Sequence, residues 1–199
     1  MRKFVVARLL KFIKKYQYFD NEKEEIVVYG LENLYIFITK CIGIFTLSYI
    51  LGILKETILF TLIYNFIRTP SFGLHAKESW MCWISSSIIF LGVPYIADNI
   101  DLPIIIRLIV GIMCILYICR YAPADTYKRP IVNPKLRLMY KTISTLIAIV
   151  MVILSVSISN VFIHNCLIFA LVVQSCMISP VVYKIFKLPY DNYKNYQAA

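Results

Sequence analysis

From residue 34 to residue 183, long apolar runs alternate with short polar breaks. A membrane-spanning helix needs about 20 mostly apolar residues. Six segments are candidates: 34–54, 56–68, 80–97, 102–120, 140–159 and 162–183. The acidic stretch NEKEE places the first helix start earlier, near Glu22. The second, ETILFTLIYNFIR, is short for a span, so it either continues through Lys55 or ends below the membrane surface. Ahead of these runs, Phe4, Val5, Ala7, Leu9, Phe12 and Ile13 interleave with cations at roughly helical spacing. Arg8, Lys11, Lys14 and Lys15 break any continuous apolar core, and no small-residue cleavage site follows, so a signal peptide does not fit. The pattern predicts an amphipathic helix lying on an anionic membrane surface, with a disordered basic tail as the alternative. The long polar connection RYAPADTYKRPIVNPKLR, 120–137, carries Pro123, Pro130 and Pro134, which disfavour helix and predict a structured or extended loop. The fold expected is all-α and polytopic. It is one domain over 1–199, with an interfacial helix at 1–20, about six transmembrane helices within 22–183 and a tail at 184–199.

Composition sharpens the membrane reading. Apolar residues make up 60% of the chain and charged residues 16%, against about 45–50% and 25% in soluble domains. An excess of that size faces lipid. The net charge of +10 would suggest nucleic acid, but its distribution argues against that partner. With a cytoplasmic N-terminus, eighteen of the 21 cations fall on inner segments: seven before the first span, two at Arg68 and Lys77, six between Arg120 and Lys141, and three after the last span. Outer loops keep only Lys55. Such a bias is a positive-inside signal, and it places both termini in the cytoplasm. Lys40 and Arg107 lie within spans, where charge is costly unless paired or snorkelling. Lys40 is about two turns from Glu32, too far for a pair on one straight helix, so it meets a substrate or a neighbouring helix. Arg107 is near the outer end of its span and is expected to snorkel outward. His164, after Asn160, reads as a surface histidine with no role. Five of the six cysteines sit inside apolar runs without CxxC spacing, as small packing residues do.

The remaining chemistry concentrates in HAKESWMC, 75–82, on the cytoplasmic side, where thiols stay reduced. Pro70 and Gly73 are expected to break the second helix, and Ser79 to cap the third. Cys82 then lies in a first helical turn, against the positive end of the helix dipole, which favours a thiolate. In one continuous helix His75 and Cys82 would stand about 10 Å apart along the axis, too far for a base and its proton donor. A dyad therefore requires a break that folds His75 back over the helix end. A metal site would need more ligands than His75, Cys82 and Glu78 supply. The plain alternative is an interfacial histidine and a packing cysteine.

The segment from Arg68 through Gly73, His75 and Ala76 to Cys82 resembles the signature of the accessory gene regulator protein B peptidases. YAPADTYKRPI at 121–131 resembles that family's loop between the fourth and fifth spans, and YGLE at 29–32 and VPY at 93–95 are also similar. With the length and the span pattern, the resemblance covers essentially the whole chain. It implies a bacterial membrane cysteine endopeptidase of peptide quorum sensing, with Cys82 as nucleophile and His75 as general base. Its substrate would be a short propeptide with an amphipathic N-terminal helix, a central signal segment and an acidic C-terminal tail. Cleavage through an acyl-enzyme would let the substrate's own cysteine or serine close a thiolactone or lactone. By the same resemblance Gly73 lets the loop fold tightly, Arg68 pairs with a substrate carboxylate or holds the loop, and Ser86 orients the thiol or donates to the oxyanion. Packing is the alternative for Ser86. Lys128 and Arg129, like Lys40, are candidates for binding substrate, the first two by attracting the acidic tail. The family often shows two adjacent glycines before the histidine; here Phe72 stands in place of the first. Asp125 and Glu78 are candidates to orient His75. The resemblance implies a homodimer in the bacterial cell membrane and calls for no cofactor. Other classes consistent with six spans and intramembrane cations are a non-catalytic peptide transporter or export partner, and a membrane scaffold for a sensor kinase.

Overall fold

The computed structural model describes residues 2–16, 20–74, 79–126 and 130–194. Their regular structure is helical, and Phe72 pairs with Ala124 in an isolated parallel bridge. The protein is an all-α polytopic membrane protein. It divides into two compact units, Met1–Ile50 and Leu51–Ala199.

The first unit is a helical hairpin of α1 (Arg2–Lys14) and α2 (Asn21–Ile50). Arg2 near the start of α1 pairs with Glu32 at 3.5 Å, and Lys14 at its end pairs with Glu24 at 2.6 Å, so the two helices run antiparallel. Asp20 caps α2 by accepting the Lys23 N–H at 2.9 Å. α1 buries Val6 and leaves Phe4, Leu9 and Phe12 exposed among its cations, the layout of an interfacial helix. α2 stops at Ile50 rather than near residue 54, because Gly52 turns the chain at a φ of +74°.

The second unit packs around one central helix. It comprises α3 (Leu54–Ser71), α4 (Ser79–Ser87), a five-residue π turn (Ile88–Gly92), α5 (Val93–Asn99), α6 (Ile104–Tyr121), α7 (Pro134–Ser157), α8 (Val161–Met177) and α9 (Pro180–Ile185). α8 touches α3, α5, α6 and α7. Its buried residues run around the helix, from Cys166 through Ile168 and Leu171 to Gln174, as expected of a helix enclosed by others. Among the described residues, four helical stretches are long and apolar enough to cross a membrane: Lys23–Ile50, Trp80–Asn99, α6 and α7. α8, with 17 residues, is shorter. α3 has only eleven residues between Glu56 and Arg68. α8 is enclosed by its neighbours, whereas α3 buries Phe60, Tyr64 and Ile67 on one face and leaves Ile58, Leu62 and Phe66 exposed on the other.

Two prolines behave differently from their sequence reading. α3 continues through Pro70, which forfeits one backbone bond, and breaks only after Ser71. Pro134 does not prolong the 120–137 loop; it opens α7 at the first-turn position that tolerates a missing N–H. Asn133 caps that start, its Oδ1 accepting from Lys135 at 2.9 Å and Leu136 at 3.4 Å. In the third span, Pro94 removes a donor next to the π turn, a usual place for such a widening.

Candidate active site

The residues leading to His75 form a strap whose backbone groups are almost all spoken for. Arg68 lies in the last turn of α3, and its guanidinium curls over the helix end. Nη1 donates to the Phe72 carbonyl, and Nη2 donates to those of Gly73 (3.3 Å) and Leu74 (2.8 Å). Gln174, fully buried on α8, donates Nε2–H to the same Phe72 carbonyl at 2.9 Å. The Gly73 N–H reaches Ala124 O at 2.9 Å, Ala124 N–H reaches Ser71 O at 3.1 Å, and Leu74 N–H reaches Met177 O at 2.9 Å. The strap is thus tied to α3, to the α6–α7 loop and to the end of α8.

Gly73 is required by this path. Its φ is +118°, and a Cβ there would overlap the Arg68 guanidinium and come within 2.8 Å of Met177 O. Phe72 is also left-handed, at φ +56°, which explains why a glycine suits that position. Its ring packs edge to face on Tyr140 at 5.0 Å, and its carbonyl takes two side-chain donors.

His75 lies outside the described residues, as do Glu78, Lys128 and Arg129. Cys82 is half-buried and is the fourth residue of α4, which starts at Ser79 itself. That is one residue earlier than a cap at Ser79 would give, and it still leaves Cys82 at the N-terminal turn. Ser86, also half-buried, follows one helical turn later on about the same face. Ser85 bonds back to Met81 O at 2.8 Å. Lys40 is half-buried on α2, in the first unit. Among the described residues no cluster of three or more His, Cys, Asp or Glu could hold a metal ion.

Asp125 is 2% exposed, and its carboxylate accepts the backbone N–H of Tyr193 (2.8 Å), Asn192 (3.1 Å) and Ile131 (3.4 Å). These bonds join the α6–α7 loop to the C-terminal segment. Tyr190 stacks edge to face on Tyr183 at 5.1 Å nearby. Burial, and then the Asp191 carboxylate, push the Tyr190 phenol above its ordinary value.

The other end of α8 overturns two expectations. Arg107 does not snorkel outward: it is buried, and Nη1 donates to Ser155 O in the last turn of α7, where carbonyls lack helical partners. His164 is not on the surface. It is 4% exposed, with Nε2 3.3 Å from Asp101 Oδ1 and Nδ1 3.4 Å from Ile158 O. Beside it, buried Asn165 donates to the carbonyls of Ala97 (3.0 Å) and Ile100 and accepts from Leu102 N–H at 3.4 Å. These contacts clasp the α5–α6 turn, since short apolar helices leave terminal backbone groups that only inward polar side chains can satisfy. Gln174 escaped sequence reasoning too; its signal was a lone amide within the apolar run LVVQSCM.

A family model described as Accessory gene regulator B matches residues 6–178. A "Putative AgrB-like protein" of Clostridium acetobutylicum is 31% identical over 168 residues, covering 84% of this chain and 80% of the relative. Another of the same description, from Listeria innocua, is 28% identical over 186 residues, covering 93% and 91%. An "Accessory gene regulator protein B" of Staphylococcus carnosus is 32% identical over 133 residues, covering 67% and 69%. No solved structure matches.

Proposed function

The chain belongs to the accessory gene regulator B family, and from that premise we propose that it is a membrane cysteine endopeptidase that matures a quorum-sensing propeptide. Membership implies a role in a quorum-sensing system and links the chain to autoinducer processing. The finer reading rests on one observation. The strap 71–74 is fixed by Arg68, Gln174 and three backbone bonds immediately before His75, while Cys82 occupies the N-terminal turn of the next helix. The strap before His75 and the fresh helix start at Ser79 support the break that a His75–Cys82 dyad needs. Arg68 in this reading holds the loop rather than the substrate.

Cys82 Sγ attacks the carbonyl carbon at the end of the signal segment, and His75 takes the thiol proton. The peptide C–N bond breaks, His75 passes that proton to the departing amine, and the acidic tail leaves. The substrate's own cysteine thiol then attacks the thioester carbonyl, closing a thiolactone and returning Cys82 as a thiol. Lys128 and Arg129 attract the acidic tail, and Lys40 is a further contact for substrate. The site and both termini face the cytoplasm of a bacterial cell, and the enzyme works as a homodimer. Detergent-purified protein with a synthetic propeptide of this layout should release the tail without a second protein or compartment. Cys82→Ala and Cys82→Ser should each release none while still extracting from the membrane fraction. Normal cleavage by either variant would return the chain to the transporter or scaffold classes.

A further inference from the structure

The tail of the chain is built into the strap's support. Ala124 is the strap's partner on both sides, accepting from Gly73 N–H and donating to Ser71 O. Ala124 is in turn held from the C-terminal side. The Tyr183 hydroxyl donates toward the carbonyls of Ala124 (3.4 Å) and Asp125 (3.2 Å). The Asp125 carboxylate draws two of its three backbone donors from Asn192 and Tyr193. Asn192 is itself 1% exposed and donates Nδ2–H to Pro189 O at 3.0 Å. Arg137 at the start of α7 lies over the Tyr193 ring, 3.5 Å from its centroid. A carboxylate this buried is tolerable only when donors meet it, so the tail cannot leave without stranding a charge. The family match ends at residue 178, so the segment that supplies these donors lies beyond the matched residues.

We propose that Asp125, clasped by the backbone of Asn192 and Tyr193, is a positioning residue that sets the strap carrying His75 against Cys82. The inference rests on the dyad proposed above. Asp125 acts through Ala124 and Gly73. The C-terminal segment is therefore a working part of the catalytic unit rather than a free cytoplasmic tail.

The test measures how fast iodoacetamide alkylates Cys82 at pH 7 in the detergent-purified full chain, resolved by mass spectrometry, alongside thermal unfolding. His75→Ala sets the rate without the base. Asp125→Ala should fall about tenfold or more, towards the His75→Ala rate, because a misplaced base no longer activates the thiol. Truncation after Tyr190 removes both donors while leaving every helix of the bundle; it should slow alkylation similarly and lower the melting temperature, with the chain still folded at the assay temperature. A truncated chain that alkylates at the wild-type rate while His75→Ala is slow overturns the clasp and leaves the dyad standing. Wild-type alkylation by His75→Ala overturns the dyad and the clasp together.

Discussion

At residue 73 a single hydrogen in place of a methyl group decides the course of the strap. A Cβ on Gly73 would collide with both the Arg68 guanidinium and Met177 O, and the left-handed backbone there costs an L-residue about 1–3 kcal/mol besides. The strap can respond only by moving, and displacement of a catalytic group by about 1 Å costs on the order of 100-fold in rate. Gly73→Ala should therefore lose about that much cleavage while the helices persist by circular dichroism. Phe72→Gly is the instructive contrast. It relieves left-handed strain of about 1–3 kcal/mol and gives up an aromatic pair with Tyr140 worth about 0.5–1.5 kcal/mol. The two nearly cancel, so this variant should keep activity within about threefold. If the two variants lose activity equally, the strap is not held by the contacts described. Gly73 was legible as a tight turn. The left-handed Phe72 was not, because only its neighbours Tyr140, Arg68 and Gln174 make that conformation tolerable.

Between elements, the close approach of α6 to α7 turns on Gly111. A Cβ there would sit 2.7 Å from Val152 Cγ2 and 3.1 Å from Val152 Cγ1, the small-residue contact through which membrane helices gain packing. Gly111→Ala should destabilise the second unit by about 1–3 kcal/mol, read as a lower melting temperature in detergent. Val152→Ala in the same chain should restore most of that loss, and failure to restore it would remove the contact as the cause. Helix existence and order were readable from hydropathy, since each run had to satisfy its own backbone in lipid. Helix function was less readable. Hydropathy treats Arg107, His164, Asn165 and Gln174 as blemishes in apolar runs, whereas each supplies donors or acceptors to a helix end or loop that lacks them. Asp125 shows the limit most clearly. Two of its three partners are backbone N–H groups more than 60 residues away, at Asn192 and Tyr193, and backbone leaves no side-chain signature in a sequence.

For the whole molecule, the charge map makes a commitment that the helical structure alone does not. Eighteen of 21 cations lie on one side if the N-terminus is inside, and Lys55, beside the turn between α2 and α3, stands on the other. The strap, the Cys82 turn and the Asp125 clasp all belong to the inner side in that arrangement, where a thiol stays reduced and where the acidic tail of the proposed substrate would meet the site. With the native cysteines replaced by alanine, Lys55→Cys should react with a membrane-impermeant maleimide on intact cells. Lys128→Cys should react only after the cells are permeabilised. The opposite pattern would invert the protein and place its thiol in an oxidising compartment, where Cys82 could not be kept as a free nucleophile. Labelling of both positions on intact cells would mean that the loop carrying Lys128 lines a path through the membrane. That outcome would favour transport over cleavage, because an endopeptidase acting on a cytoplasmic propeptide needs its basic loop on one side only.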